Sequence, residues 1–361
     1  MQANENFDST WLEVEIPKSV IEFAKNSFEN ESWTSANSTI SSKYGVVGFF
    51  TSDFDYKSFI HYINNENTIE SSRNKREYGD YQTKSQLTNK IVKSISKKFT
   101  PNFILEPSCG KGNFITSALE YFNGSCKIIG VEIYLPYVKE CKCNALAAQI
   151  KSTRRGVDIH IIHASIFDFD IREYTEGLRD LKPLVIGNPP WVMNSDLSSI
   201  DSRNLPFKKN IGLKGLDAIT GKSNFDIAEY IALGLIEKFH KHKGYFALLI
   251  KTSVSRNIMR KQKERCFKTD QIKQENIDSK KEFNVSVCSA LFSCRLGYES
   301  QKKCRVVDFY TKEEENTFGW VKNKFVYDIE KYKHYRSVDS KSPFVWRQGI
   351  KHDASKIMEL E

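Results

Sequence analysis

Residues 103–114 read Phe103-Ile104-Leu105-Glu106-Pro107-Ser108-Cys109-Gly110-Lys111-Gly112-Asn113-Phe114. A short apolar run ends in an acid and a glycine-bearing turn. Residues 114–122 then repeat apolar positions at helical spacing. This pattern predicts the strand–turn–helix opening of a βα unit. Gly110 and Gly112 allow a tight backbone turn and let a ligand come close to the main chain. The free N–H groups at the helix start suit a carboxylate or a hydroxyl-bearing ligand.

The alternation continues on both sides of this turn. Residues 87–95 have helical spacing, residues 127–131 form a second apolar run, and residues 137–150 are helical again. A third run covers 159–162 and a fourth 184–186; a helix over 225–239 and a buried strand over 245–250 follow. Strands alternating with helices require crossover connections, so an α/β fold is expected, with a mainly parallel sheet and helices on both faces. The β-favouring stretches 285–296 and 306–310 add an antiparallel edge. Residues 1–75 hold two apolar patches, 20–28 and 44–60, with Ser- and Asn-rich sequence around them and no motif. They are expected to form an N-terminal accessory region, a small helical or mixed cap. No internal repeat is evident.

The chain has 361 residues, 40% of them hydrophobic, which is enough for one large domain with an accessory piece. Lys and Arg number 54 against 45 Asp and Glu, a formal charge of +9, which favours a polyanionic partner. Part of this excess lies in the long polar segment 194–223. There Arg203, Lys208, Lys209, Lys214 and Lys222 face only Asp196, Asp201 and Asp217. The eight cysteines include no CxxC pair; the closest two, Cys141 and Cys143, have one residue between them. That spacing does not suit zinc, so no metal is expected. The opening MQANENFDST lacks the basic and apolar segments of a secretory signal, and no run approaches the ~18 apolar residues of a membrane span. No membrane contact and a reduced cytoplasmic setting are expected.

Twenty residues after Gly112 comes Glu132, in Gly130-Val131-Glu132, at the end of the second strand. A carboxylate there can accept both ribose hydroxyls of an adenosine-bearing cofactor. The turn is not G-x-G-x-x-G, since position 115 is Ile, and no Walker A loop is present. An acid opening the turn, Glu106, would repel a pyrophosphate. It suits a cofactor with an amino group and a sulfonium centre.

A second string, Asn188-Pro189-Pro190-Trp191, follows the fourth strand and Gly187. A ring-attached amine is a poor nucleophile because its lone pair is delocalised. Two acceptors aimed at its N–H bonds draw it toward a tetrahedral nitrogen. The Asn188 side-chain oxygen can be one, and the Pro189 carbonyl, stiffened by the Pro-Pro step, the other. This is preorganised electrostatics and positioning, and it needs no strong general base. Trp191 offers a flat face to a purine, worth roughly 1–3 kcal/mol per base. Such stacking helps offset the few kcal/mol of extruding a base from duplex.

Together, Glu-Pro-x-x-Gly-x-Gly-x-Phe, Gly-Val-Glu and Asn-Pro-Pro-Trp, in this order, resemble the gamma-type DNA adenine-N6 methyltransferases of restriction–modification systems. The resemblance implies a Rossmann-like class I methyltransferase fold over residues 76–312 and S-adenosylmethionine as cofactor. It implies methyl transfer to the N6 amine of a flipped-out adenine in double-stranded DNA. The family's leading Gly-x-x-x-Thr motif matches Gly79-Asp80-Tyr81-Gln82-Thr83. By resemblance, Thr83 holds the cofactor's methionine carboxylate, and Glu106, Pro107, Gly110 and Gly112 surround its methionine moiety. Glu132 takes the ribose, Ile133 packs beside the adenine ring, and Asn188 borders both cofactor and substrate. The family's acid after the third strand is replaced in register by Ser165, followed by Ile166, with Asp168 as the alternative. Phe283, in Glu282-Phe283-Asn284-Val285, resembles the second aromatic that closes on the flipped base. The string 346–353 resembles the link to a target-recognition region, which places Arg347 and Lys351 near phosphates. Residues 313–361 are therefore expected to be a C-terminal linker or the start of such a region, with recognition completed by a separate chain or domain or by the N-terminal region. No nuclease signature is evident, and modification alone is expected. The competing readings are a protein-glutamine N5 methyltransferase, whose amide nitrogen poses the same lone-pair problem, and an RNA adenine-N6 methyltransferase.

Overall fold

Strands β2 (Phe103–Glu106) and β5 (Pro183–Gly187) are buried along their whole length. They lie side by side and parallel, with Ile104 beside Leu184, at the centre of the sheet. Near-continuous apolar runs such as Phe-Ile-Leu-Glu are what a strand covered on both faces requires. The computed structural model describes residues 7–28, 31–65, 82–152, 156–178, 180–191 and 226–339.

From β2 the chain moves outward through β3 (Cys126–Glu132) and β4 (Val157–His163), each parallel to its neighbour. It then returns to the other side of β2 as β5, followed by the parallel β6 (Gly244–Lys251). Crossovers between parallel strands are right-handed, so reversing the direction of travel moves the helices to the opposite face of the sheet. Helices α4 (Ser85–Ser96), α5 (Asn113–Tyr121) and α6 (Leu135–Ser152) serve the first half; α8 (Ile227–Phe239) and α9 (Thr252–Arg265) serve the second, and the short α7 (Arg172–Thr175) lies between β4 and β5. The expected antiparallel strand is β8 (Ser289–Leu296), inserted between β6 and β7 (Thr269–Ile277). Beyond β7 come β9 (Lys303–Asp308), β10 (Glu314–Val321) and β11 (Lys324–Val326), which extend the sheet to eleven strands. The α/β architecture expected from the alternation is thus present, with an antiparallel edge broader than residues 285–310 suggested.

The other edge is closed by the N-terminal region. Its helices α1 (Lys18–Ser27), α2 (Trp33–Tyr44) and α3 (Asp53–Asn64) surround a two-residue strand, β1 (Val46–Val47), which pairs in parallel with β4. A buried polar cluster ties this region to α6. Lys139 Nζ lies 2.6 Å from Asp8 and 2.9 Å from Asp55, and the Trp11 indole N–H donates to Asp55 at 2.8 Å. Lys142 donates to the carbonyls of Gly48 and Phe49 at 2.5 and 3.2 Å, and its burial lowers its pKa to about 8. Among the described residues no helix is long and apolar enough to cross a membrane, and no cluster of His, Cys, Asp or Glu is arranged to hold a metal ion.

Candidate active site

The direction of travel reverses between β2 and β5, and open α/β sheets bind ligands outside the carboxyl ends of strands at such a point. Glu106 ends β2, and the glycine turn leads from it into α5. Gly110 and Gly112 both lie in the left-handed region, at φ +50° and +84°. A Cβ on Gly110 would sit 2.6 Å from the Gln82 amide, and one on Gly112 2.5 Å from Cys141 Sγ. Conformation and space therefore both demand glycine. The segment ahead of α4 is bound to this turn: Lys111 N–H donates to Gln82 Oε1 at 3.3 Å, and Asn113 Nδ2 to the Thr83 carbonyl at 2.7 Å.

Glu132 at the end of β3 is only 9% exposed, and its carboxylate accepts three backbone N–H groups. Ile133 and Tyr134 donate to Oε1 at 2.9 Å each, and Gly110 donates to Oε2 at 2.8 Å. One side chain thus fastens two strand ends together through charge-assisted bonds. The Tyr134 hydroxyl donates to Glu13, so the N-terminal region reaches the same wall. Glu106 is fully buried; its carboxyl is pushed well above the usual carboxylate range by burial, with neighbouring Cys141 and Glu132 adding to the effect. Among the described residues its Oε2 has no hydrogen-bond partner. A buried acid in this condition is relieved by a cationic ligand.

After β5, the Asn188 backbone carbonyl accepts a bond from Ser108 Oγ at 3.2 Å, which joins the second motif to the first. Trp191 is buried, and its indole N–H donates to the Leu249 carbonyl of β6 at 3.1 Å. Phe283, the last residue of the short helix α10 (Ser279–Phe283), meets Trp191 edge-on with ring centroids 5.0 Å apart.

These pieces border one cleft of about 920 Å³, counting its open mouth. Thr83, Glu106, Pro107 and Gly110 line it from the glycine turn and the segment before it, and Glu132 and Ile133 from the end of β3. Ile166 lines it from beyond β4, and Asn188, Pro189, Pro190 and Trp191 from beyond β5. Gly112 lies behind the turn against Cys141. Ser165 is not on the wall: its Oγ accepts the Phe167 N–H at 3.4 Å, while Asp168 is exposed. Phe283 approaches the cleft through Trp191 and is not itself on the wall. Gly79, Asp80 and Tyr81, the basic segment 194–223, Arg347 and Lys351 lie outside the described residues. Motif reading missed Tyr134, Tyr137, Phe167, Ile227 and Ile231, which also line the cleft. The aromatic Tyr134 and Tyr137 directly after Glu132-Ile133 were an available signal; Ile227 and Ile231 look like ordinary core positions of α8.

No family model matches the chain. A curated relative, the type II methyltransferase M.NspV of Nostoc sp. (strain ATCC 29411 / PCC 7524), is 37% identical over 293 residues, 80% of this chain and 60% of the relative. The chain resembles a type II methyltransferase. It spans about 60% of that relative's length. The similarity to this relative covers most of the chain. Among solved structures, the type I restriction enzyme EcoKI M protein is 13% identical with a TM-score of 0.43, over 84% of this chain and 61% of that one. The type I restriction-modification methyltransferase subunit of Streptococcus thermophilus is 11% identical with a TM-score of 0.43, over 91% and 76%.

Proposed function

We propose that the chain transfers a methyl group from S-adenosylmethionine to the N6 amine of an adenine turned out of double-stranded DNA. The observation that carries this reading is that Asn188-Pro189-Pro190-Trp191 and the Glu106–Gly110–Glu132 constellation line one cleft at the reversal of the sheet. The cofactor supplies an electrophilic methyl group on a sulfonium. The residues present fit it, because Oε2 of the buried Glu106 carboxyl lacks a hydrogen-bond partner among the described residues and suits the cofactor's positive groups. Thr83 and Gly110 border the methionine end, and Glu132 with Ile133 borders the adenosine end.

The Asn188 amide oxygen and the Pro189 carbonyl accept the two N–H bonds of the adenine amine. Each withdraws a proton direction from the ring plane and leaves the nitrogen lone pair free for the methyl carbon. Pro190 fixes the direction of the Pro189 carbonyl. Trp191, held by Leu249 and by Phe283, stacks on the purine, and a dry wall of Phe167 and Ile231 strengthens the polar contacts. The extra proton of the methylated amine leaves to solvent. Arg347 and Lys351 take phosphates, and recognition of the DNA site comes from elements beyond the catalytic segment 76–312, in a separate chain or domain. The charge of +9 favours a polynucleotide over a protein substrate, and the similarity to a type II methyltransferase supports DNA as that polynucleotide.

The test is tritiated methyl transfer to duplex DNA, RNA and a peptide release factor in parallel, with Asn188→Ala as control. Label at adenine N6 of DNA, abolished by the substitution, is expected. Label on protein or RNA alone overturns the reading.

A further inference from the structure

A second basin opens at the carboxyl ends of β6 and β7, the same end of the sheet as Asn188. Its volume is about 940 Å³, counting the open mouth, and no motif described above falls in it. A chain of amides runs through its wall. Gln274 Nε2 donates to Asn276 Oδ1 at 2.8 Å, and Asn276 Nδ2 donates to Glu315 Oε2 at 2.8 Å. An ionised carboxylate only accepts, so Glu315 fixes which way each amide points. Asn276 must turn its NH2 to Glu315 and its oxygen to Gln274. Gln274 must then spend its NH2 on Asn276, which leaves its oxygen toward the basin. Gln274 is 5% exposed, and its Oε1 has no hydrogen-bond partner among the described residues; the same holds for the buried Oδ1 of Asn316, which lines the basin from β10 with Val306 of β9 between the two in register. Two buried acceptors without donors are costly, and a ligand bearing two N–H donors relieves them.

The rim supplies the opposite polarity and a flat surface. Arg256 lines the basin with donors only, and its guanidinium lies 5.8 Å from the Tyr327 ring centroid. Tyr327 is 57% exposed, and Arg260 donates to its hydroxyl at 2.6 Å. An aromatic surface, two acceptors and a guanidinium fit a planar base that carries N–H donors and a carbonyl along one edge. Guanine has this edge, with N1–H and the N2 amine beside O6. We propose that the basin is a second nucleotide site, taking an unstacked guanine of the polynucleotide whose adenine occupies the reaction centre. The proposal rests on the DNA reading above, and the basin lies close to that centre in the chain: Thr252 follows the strand that holds Trp191, and Ile277 leads into the helix that carries Phe283.

The test measures fluorescence anisotropy of labelled dG, dA, dC and dT hexamers on the full chain, with methyl transfer to duplex DNA assayed alongside. Wild type is expected to prefer the dG hexamer by at least tenfold. Gln274→Leu and the surface variant Tyr327→Ala should remove that preference and raise the DNA KM five- to tenfold with kcat unchanged. Equal binding of the four hexamers overturns the proposal, as does a dG preference that survives both variants. Tyr327→Ala guards against misfolding of the buried variant. Loss of methyl transfer to DNA in wild type would sink the function proposed above, whereas a dG preference lost in the variants would still uphold the basin.

Discussion

Replacing Glu132 with Ala strips the carboxylate from three backbone N–H groups at once: Gly110 at 2.8 Å, and Ile133 and Tyr134 at 2.9 Å. A donor orphaned in the interior costs about 1–3 kcal/mol. Three of them set a ceiling of roughly 9 kcal/mol, and local relaxation with entering water recovers part of it. About 3–5 kcal/mol is therefore expected, at the upper end of what single substitutions cause. At about 2–3 °C per kcal/mol for a large domain, the melting temperature should fall by roughly 6–15 °C. Glu132→Gln separates fastening from binding. It keeps one oxygen for Ile133 and Tyr134 but turns an NH2 toward the Gly110 N–H, so the loss should be about 1–2 kcal/mol. A ribose bond to a charged acceptor is worth about 1.5–3 kcal/mol, so calorimetry should show S-adenosylmethionine binding roughly 10–100-fold weaker in Glu132→Gln. The reasoning fails if Glu132→Ala melts within about 2 °C of wild type, a shift too small for even one orphaned donor. It also fails in its second half if Glu132→Gln binds the cofactor as tightly as wild type.

Glu106 has a raised folded-state pKa, so above about pH 4.5 the native state holds a proton that the unfolded chain has released. Stability should fall as pH rises from there, and Glu106→Gln should gain in melting temperature relative to wild type between pH 5 and pH 8; a constant difference across that range would refute the assignment. Trp191→Phe leaves the Leu249 carbonyl without its donor, and should cost about 1–2 kcal/mol by urea unfolding and lower turnover on duplex DNA; unchanged turnover would remove the stacking role. Gly112→Ala should destabilise by at least about 1–2 kcal/mol from its left-handed backbone alone, and more from contact with Cys141. Adding Cys141→Ala should restore only the contact part, which a four-way unfolding comparison would show as non-additivity.

The central strands were legible because burial on both faces forces continuous apolar runs, as in Phe103–Glu106 and Pro183–Gly187. β7 was not. Its sequence, Thr-Asp-Gln-Ile-Lys-Gln-Glu-Asn-Ile, is polar because its neighbours satisfy it: Asp270 pairs with Arg295 of β8, and Gln274 with the amide chain. Such partners become visible only when strands distant in sequence are set side by side. α9 was hidden for a related reason, since its basic stretch Arg260–Arg265 gives a weak apolar stripe. In the site, the glycine turn and the Asn188 string could be read because each needs particular residues at fixed spacing. Which of Ser165, Ile166 and Phe167 faces the ligand depends on a loop whose course no periodicity sets. The structure turns Ile166 and Phe167 to the wall and folds Ser165 back on its own backbone.

The two-residue strand Val46–Val47 has a consequence for anyone shortening or recombining this protein. It occupies the rim of β4, where Ile159 N–H donates to the Gly45 carbonyl at 2.7 Å. Cutting away the first 65 residues would uncover the edge of β4 at Ile159 and His160, in a strand that alternates apolar and polar residues and could recruit the same strand from another molecule. A trimmed catalytic segment should therefore self-associate unless a graft supplies a substitute hem, and a chimaera is better joined upstream of this strand than after it.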